Sequence, residues 1–84
     1  MDIINLQLTP DELTDAFTEF QRVANSPIDP WNPDLGDEYD CVDNVRVCAT
    51  EDECDESHVC CGHTSWHYQL PSGKQVWLAF DYGH

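Results

Sequence analysis

The densest chemistry in the chain lies at residues 50–61, TEDECDESHVCC, which carry five acids, three cysteines, one histidine and no base. Cys41 and Cys48 precede this stretch, and His63 and His67 follow it. Such a pool could hold a metal. Zinc takes four soft ligands in a tetrahedron, and Cys48, Cys54, Cys60, Cys61 and His63 could supply them. A structural zinc is therefore admitted, although no cofactor is required. The anionic surroundings favour a divalent cation, but the spacing does not. There is no Cys-x-x-Cys knuckle, and the adjacent Cys60 and Cys61 would point to opposite faces of a strand. Two other states compete with metal. One or two disulfides could run from Cys41 or Cys48 to a partner within residues 54–61. Alternatively, reduced thiols could pack as small apolar groups. The sequence leaves all three open.

Catalysis is not expected. A nucleophilic cysteine needs a depressed pKa, hence nearby positive charge or a helix N-terminus, and this neighbourhood is anionic. The chain has no Gly-rich phosphate loop, no Ser-centred elbow and no His-Glu-x-x-His pair. An acid pair such as Glu51 and Asp52 would serve glycoside chemistry only in a cleft, which 84 residues can hardly build. An oxygen-ligand calcium loop is also missing.

Charge is the dominant property. There are 17 acids against three bases, Arg22, Arg46 and Lys74, for a net charge of −14. Such a chain repels nucleic acid and anionic membranes and is drawn to basic surfaces. In cells, large basic surfaces mostly belong to proteins that grip nucleic acid. The expected partner is a basic nucleic-acid-binding protein or complex of a host. The expected activity is inhibition by imitation of DNA or RNA charge in its basic groove. Viral and mobile-element inhibitors of the anti-CRISPR or anti-restriction kind share this physical type. The candidate contact residues are Asp37, Glu38, Asp40, Asp43, Glu51, Asp52, Glu53, Asp55 and Glu56. Asp11, Asp15 and Glu19 form a second row, and Tyr39 is a candidate aromatic anchor. One rival is a zinc- or disulfide-stabilised interaction module without mimicry. Another is a protein of a high-salt cytoplasm, acidic on every side with no partner implied. Self-repulsion favours a monomer.

These residues need elements to position them. Thr9 as N-cap, Pro10 at the first helical position and Glu12 completing a capping box predict a helix over about 10–25. Leu8 and Leu13 would staple its start. Leu13, Ala16, Phe17, Phe20, Val23 and Ala24 form its apolar stripe. Three prolines make residues 26–34 a connector that Trp31 would pin. Residues 34–63 form the acidic Cys-rich segment, with a short strand around Val45 and Val47 and a loop at 51–56. Alternating residues around the turn Pro71-Ser72-Gly73-Lys74 predict a β-hairpin over 65–82 with one buried face. The expectation is one small α+β domain, a helix packed on a small antiparallel sheet. The N-terminus lacks the features of a signal peptide and no stretch is long and apolar enough for a membrane span, so a cytoplasmic protein is expected.

Overall fold

The computed structural model describes residues 1–24, 42–59 and 62–82. The proline-rich connector with Trp31 lies outside them, as do Asp37, Glu38, Tyr39, Asp40, Cys41, Cys60 and Cys61. The elements are β1 (Asp2–Ile4), α1 (Pro10–Ala24), β2 (Asp43–Cys48), α2 (Glu51–Glu56), β3 (Gly62–Gln69) and β4 (Gln75–Tyr82). They build the expected α+β domain around a four-stranded sheet of order β1-β2-β4-β3. The sheet is mixed and not antiparallel throughout as expected, because the three-residue β1 adds to it parallel to β2, while β2 and β3 both run antiparallel to β4. No helix among the described residues is long and apolar enough to cross a membrane.

Helix α1 starts as its capping residues dictate. The Thr9 N–H donates to Glu12 Oε1 at 2.9 Å, and the Glu12 N–H donates to Thr9 Oγ1 at 3.2 Å. Glu12 also reaches the β3–β4 turn. Its Oε2 accepts from Ser72 Oγ at 2.8 Å, and its Oε1 lies 3.3 Å from Lys74 Nζ. Lys74 in turn donates to the carbonyl of Gln7 at 2.6 Å. The start of the helix is thereby tied to the hairpin tip. This tether aims Glu12, Ala16, Glu19 and Phe20 at the protein, rather than the whole expected stripe. Phe17 is 51% exposed. It sits about 100° around the helix from Ala16, on the side away from Glu12 and Glu19.

The hairpin turn is tight because Gly73 adopts φ 97° while its N–H bonds the Leu70 carbonyl at 2.8 Å. A left-handed glycine closing a three-residue loop is a standard hairpin solution. Across the sheet, alternate residues of β4 serve two different layers. Val76, Leu78 and Phe80 join Ala16, Phe20, Val47 and Leu70 in the main core, under α1. Trp66 packs edge-on to both Phe20 and Phe80. On the opposite face, Ala79 joins Cys48 and Cys54, with Trp77 and Ile4 alongside. The hairpin is therefore covered on both sides of β4 and not on one, because residues 51–56 form a helix that lies on the second face. The acid-rich loop expected there is α2.

Glu12 gives the fold a definite pH response. The Thr9 N–H and Ser72 hydroxyl, with Lys74 beside them, hold its carboxyl down from 4.5 to about 2. Its contribution is full above pH 4.5 and is lost as pH falls toward about 2. Thermal melts across that window should show a steeper acid-side drop for wild type than for Glu12→Gln, and equal slopes would remove Glu12 as the cause.

Candidate partner-binding surface

Helix α2 begins on the same motif as α1. Thr50 is its N-cap, in extended backbone at φ −133° and ψ 158°. The Glu53 N–H donates to Thr50 Oγ1 at 3.3 Å, and Glu53 Oε2 accepts from the Thr50 N–H at 3.3 Å. Glu53 Oε1 also accepts from Asn5 Nδ2 at 2.8 Å, linking the helix to the end of β1. Cys54 is the inward residue, fully buried in the second layer. With Cys54 facing in, Glu51, Asp52, Asp55 and Glu56 face solvent. They form two i,i+4 pairs of like charge, Glu51 with Asp55 and Asp52 with Glu56. Such pairs destabilise a helix by a few tenths of a kcal/mol each.

What holds this helix down is Arg46. Its guanidinium is completely buried, and it donates from Nη2 and Nε to the carbonyl of Cys54 at 2.7 and 3.2 Å. Nη1 bonds Asp81 Oδ1 and the carbonyl of Asn44, both at 2.9 Å. The other Asp81 oxygen accepts from Asn44 Nδ2 at 2.9 Å and the Val59 N–H at 3.0 Å. Burial pushes the Asp81 carboxyl up. The Asn44 amide, the Val59 N–H and Arg46 more than offset this, leaving it below its ordinary value. Asn44 takes φ 49° where the β2–β4 register shifts between Asp43 and Arg46, a conformation asparagine tolerates better than most residues. It also donates to the carbonyl of Ser57 at 2.8 Å. The carbonyl end of α2 thus meets a cation from below, where the helix dipole favours one.

The expected contact residues divide into three groups. Glu51, Asp52, Asp55 and Glu56 share the exposed ridge, with Glu53 half-buried and turned back to the Thr50 cap, and Asp43 is exposed at the start of β2. Asp11 is exposed and Asp15 half-buried on α1, beneath the other face of the sheet. Glu19 is turned inward, 6% exposed and paired with Arg22, so this residue is withdrawn from the second row. Among the described residues, the acids of α2 and those of α1 lie on opposite layers of the sheet. Asp37, Glu38, Tyr39 and Asp40 lie outside the described residues.

Of the expected metal ligands, Cys48 and Cys54 are free thiols that meet in the buried second layer. His63 is elsewhere, stacked on His58 at 4.4 Å between ring centroids and 3.7 Å from Asp55. Among the described residues, no group of three or more histidines, cysteines or acids is arranged to hold a metal. Sequence reasoning missed Arg46 and Asp81 as the anchor, because neither is marked by a spacing motif. It also read past the Thr50-x-x-Glu53 cap, which was visible.

No family model, curated protein or solved structure matches the chain, so its chemistry rests on these residues.

Two substitutions test this construction. Arg46→Leu leaves Asp81 and the Cys54 carbonyl buried without their cation, which should cost about 3–5 kcal/mol in urea denaturation. A loss under ~1 kcal/mol would show that the anchor is dispensable. Glu56→Lys places a cation in the last turn of α2, four residues after Asp52, and should raise stability by about 0.5–1 kcal/mol. No gain would mean that repulsion along the ridge is already screened.

Proposed function

We propose that the protein is an acidic inhibitor that occupies the basic groove of a nucleic-acid-handling protein, with the α2 ridge as the leading contact. One observation carries this reading. The chain's three Lys and Arg side chains are all engaged with its own acids, Arg46 with Asp81, Lys74 with Glu12 and Arg22 with Glu19. Glu51, Asp52, Asp55 and Glu56 are left exposed with no Lys or Arg paired to them among the described residues. Residues four apart on a helix are separated by a rise of about 6 Å. Two such rows side by side approach the density of a nucleic acid strand, one charge per ~3.4 Å. A groove lined by Lys and Arg can pair with carboxylates much as it pairs with phosphates. A host defence nuclease that grips DNA or RNA is the class of target this chemistry fits.

A second reading is favoured by the exposed acids on both layers, Asp11 with α1 and the ridge with α2. Acidity on every side is what a high-salt cytoplasm would select, with no partner implied. Salt separates the two. A mimic should stay folded at low salt, whereas the high-salt protein should unfold there.

Binding is tested by capture from a host lysate at low salt, followed by a salt gradient and displacement with a DNA or RNA oligonucleotide. Captured proteins should bind nucleic acid, elute with salt and be displaced by the oligonucleotide. Neutralising the ridge (Glu51→Gln, Asp52→Asn, Asp55→Asn, Glu56→Gln) should weaken the captured partner at least ~10-fold and flatten its salt dependence. Binding insensitive to salt, or a partner that nucleic acid fails to displace, would sink the proposal.

A further inference from the structure

Two of the five cysteines converge, although nothing in their spacing marks them as a pair. Cys48 ends β2 and Cys54 lies mid-way along α2, and both are fully buried in the second layer with Ala79. Cys48 sits opposite Trp77 in the β2–β4 register, and Cys54 Sγ lies 3.7 Å from the Trp77 carbonyl. Both thiols are thus held at one point of the sheet, where each side chain interacts with the other. A bond between them would join the acidic helix to the sheet and close a short loop through the Thr50 cap.

We propose that Cys48 and Cys54 are a reversible modification site, cross-linked by exchange with a small-molecule disulfide, and that the bond locks α2 onto β2. The proposal is independent of the inhibitor reading. In the first step, the Cys48 thiolate attacks one sulfur of the small disulfide. A mixed disulfide forms on Cys48 and one small thiolate leaves. The Cys54 thiolate then attacks the Cys48 sulfur of that mixed disulfide and expels the second small thiolate. The two cysteines lose two electrons and two protons, and the small disulfide becomes two thiols. A reducing thiol reverses both steps.

The order of attack follows from the placement: Cys48 stays on β2 when α2 lifts, whereas Cys54 leaves with the helix and meets the Cys48 sulfur again as the helix returns. In the closed state burial pushes both thiols up and keeps them protonated. Access follows from the helix. With α2 closed, neither thiol touches solvent. A six-residue helix carrying two like-charge pairs is a segment suited to local opening, and its departure uncovers both sulfurs. The thiol pair is thus protected in the closed state and reactive in the open one. Once the bond forms, reopening carries the extra constraint of a closed loop.

The test treats the purified chain with glutathione disulfide, then alkylates and digests it with two proteases, one cutting after glutamate and one after arginine. Cuts after Glu51 and Glu53 separate Cys48 from Cys54, and the cut after Arg46 separates Cys48 from Cys41, so the Cys48 and Cys54 fragments stay joined only through their own disulfide. The expected result is that joined pair, a melting temperature raised by about 10 °C, slowed amide exchange over residues 51–56, and full reversal by dithiothreitol. Cys48→Ala should lose the temperature shift. If that variant does not fold, fragment mapping on the wild type decides alone. Four results would overturn the proposal: thiols modified only after global unfolding, a stable mixed disulfide at Cys48, either residue joined instead to Cys41, Cys60 or Cys61, or a Cys48–Cys54 bond that leaves melting and exchange unchanged.

Discussion

The buried pair of Arg46 and Asp81 is the constraint on which the second layer of this protein depends. In a chain of net charge −14, one of only three cations is spent entirely inside. Isolated, such a group would be costly to bury, and a pair alone recovers that cost only with further hydrogen bonds. Here those bonds are present. The guanidinium is shared among one carboxylate and the carbonyls of Asn44 and Cys54, and the carboxylate is completed by Asn44 and Val59. Four pieces of chain meet at this point: β2, the end of α2, the segment after it, and β4. The apolar surface on this side is small, since among the described residues the hydrophobic cluster here is Cys48, Cys54 and Ala79 with Ile4 and Trp77 beside it.

That arrangement explains how α2 exists at all. A helix of six residues is far below the length at which helices persist alone, and this one adds like charges in succession. It is held by three separate devices: the Thr50 capping box at its start, Cys54 under its middle, and the Arg46 fork at its end. Its first-turn acids are favoured by the dipole, but Asp55 and Glu56 near its carbonyl end are not. Arg46 compensates from the buried side only, so the outward field of the ridge is left largely uncancelled. The anchored base and the uncompensated surface are two consequences of placing Arg46 beneath the helix instead of on it.

How much of this was legible in the sequence depends on whether a signal is local or spatial. Helix α1 and the hairpin could be read because each carries its own start, period and turn: Thr9 with Glu12, the spacing of Ala16 and Phe20, and Gly73 between alternating strands. The Thr50 and Glu53 cap is the same local signal, but it precedes only one inward residue, Cys54, and so lacks the apolar period that confirms a helix. Strand β1 has three residues and no period to show. The exposure of Phe17 and the burial of Glu19 follow from how the Glu12 tether rotates α1, a tertiary effect absent from helical spacing. Arg46 and Asp81 stand 35 residues apart, and nothing near either predicts the other.

The sheet also limits what the acids can do together. Alternating residues of β4 send α1 and α2 to opposite layers, so Asp11 and the α2 ridge face different directions. Among the described residues, a partner that docks on one face meets the acids of α2 or those of α1, but not both. The ridge is therefore a compact site, four carboxylates on one short anchored helix, and its affinity would come from close, oriented pairs rather than from total charge. Charge elsewhere on the molecule acts at longer range. It raises the rate of encounter with a basic surface and is screened by salt within about 10 Å. The same division holds inside the fold, where the Lys and Arg side chains act at hydrogen-bond distance and the exposed acids of α2 act outward through the field. The fold separates the two by burying Arg46, tethering Lys74 to Glu12 and Gln7, and pairing Arg22 with Glu19.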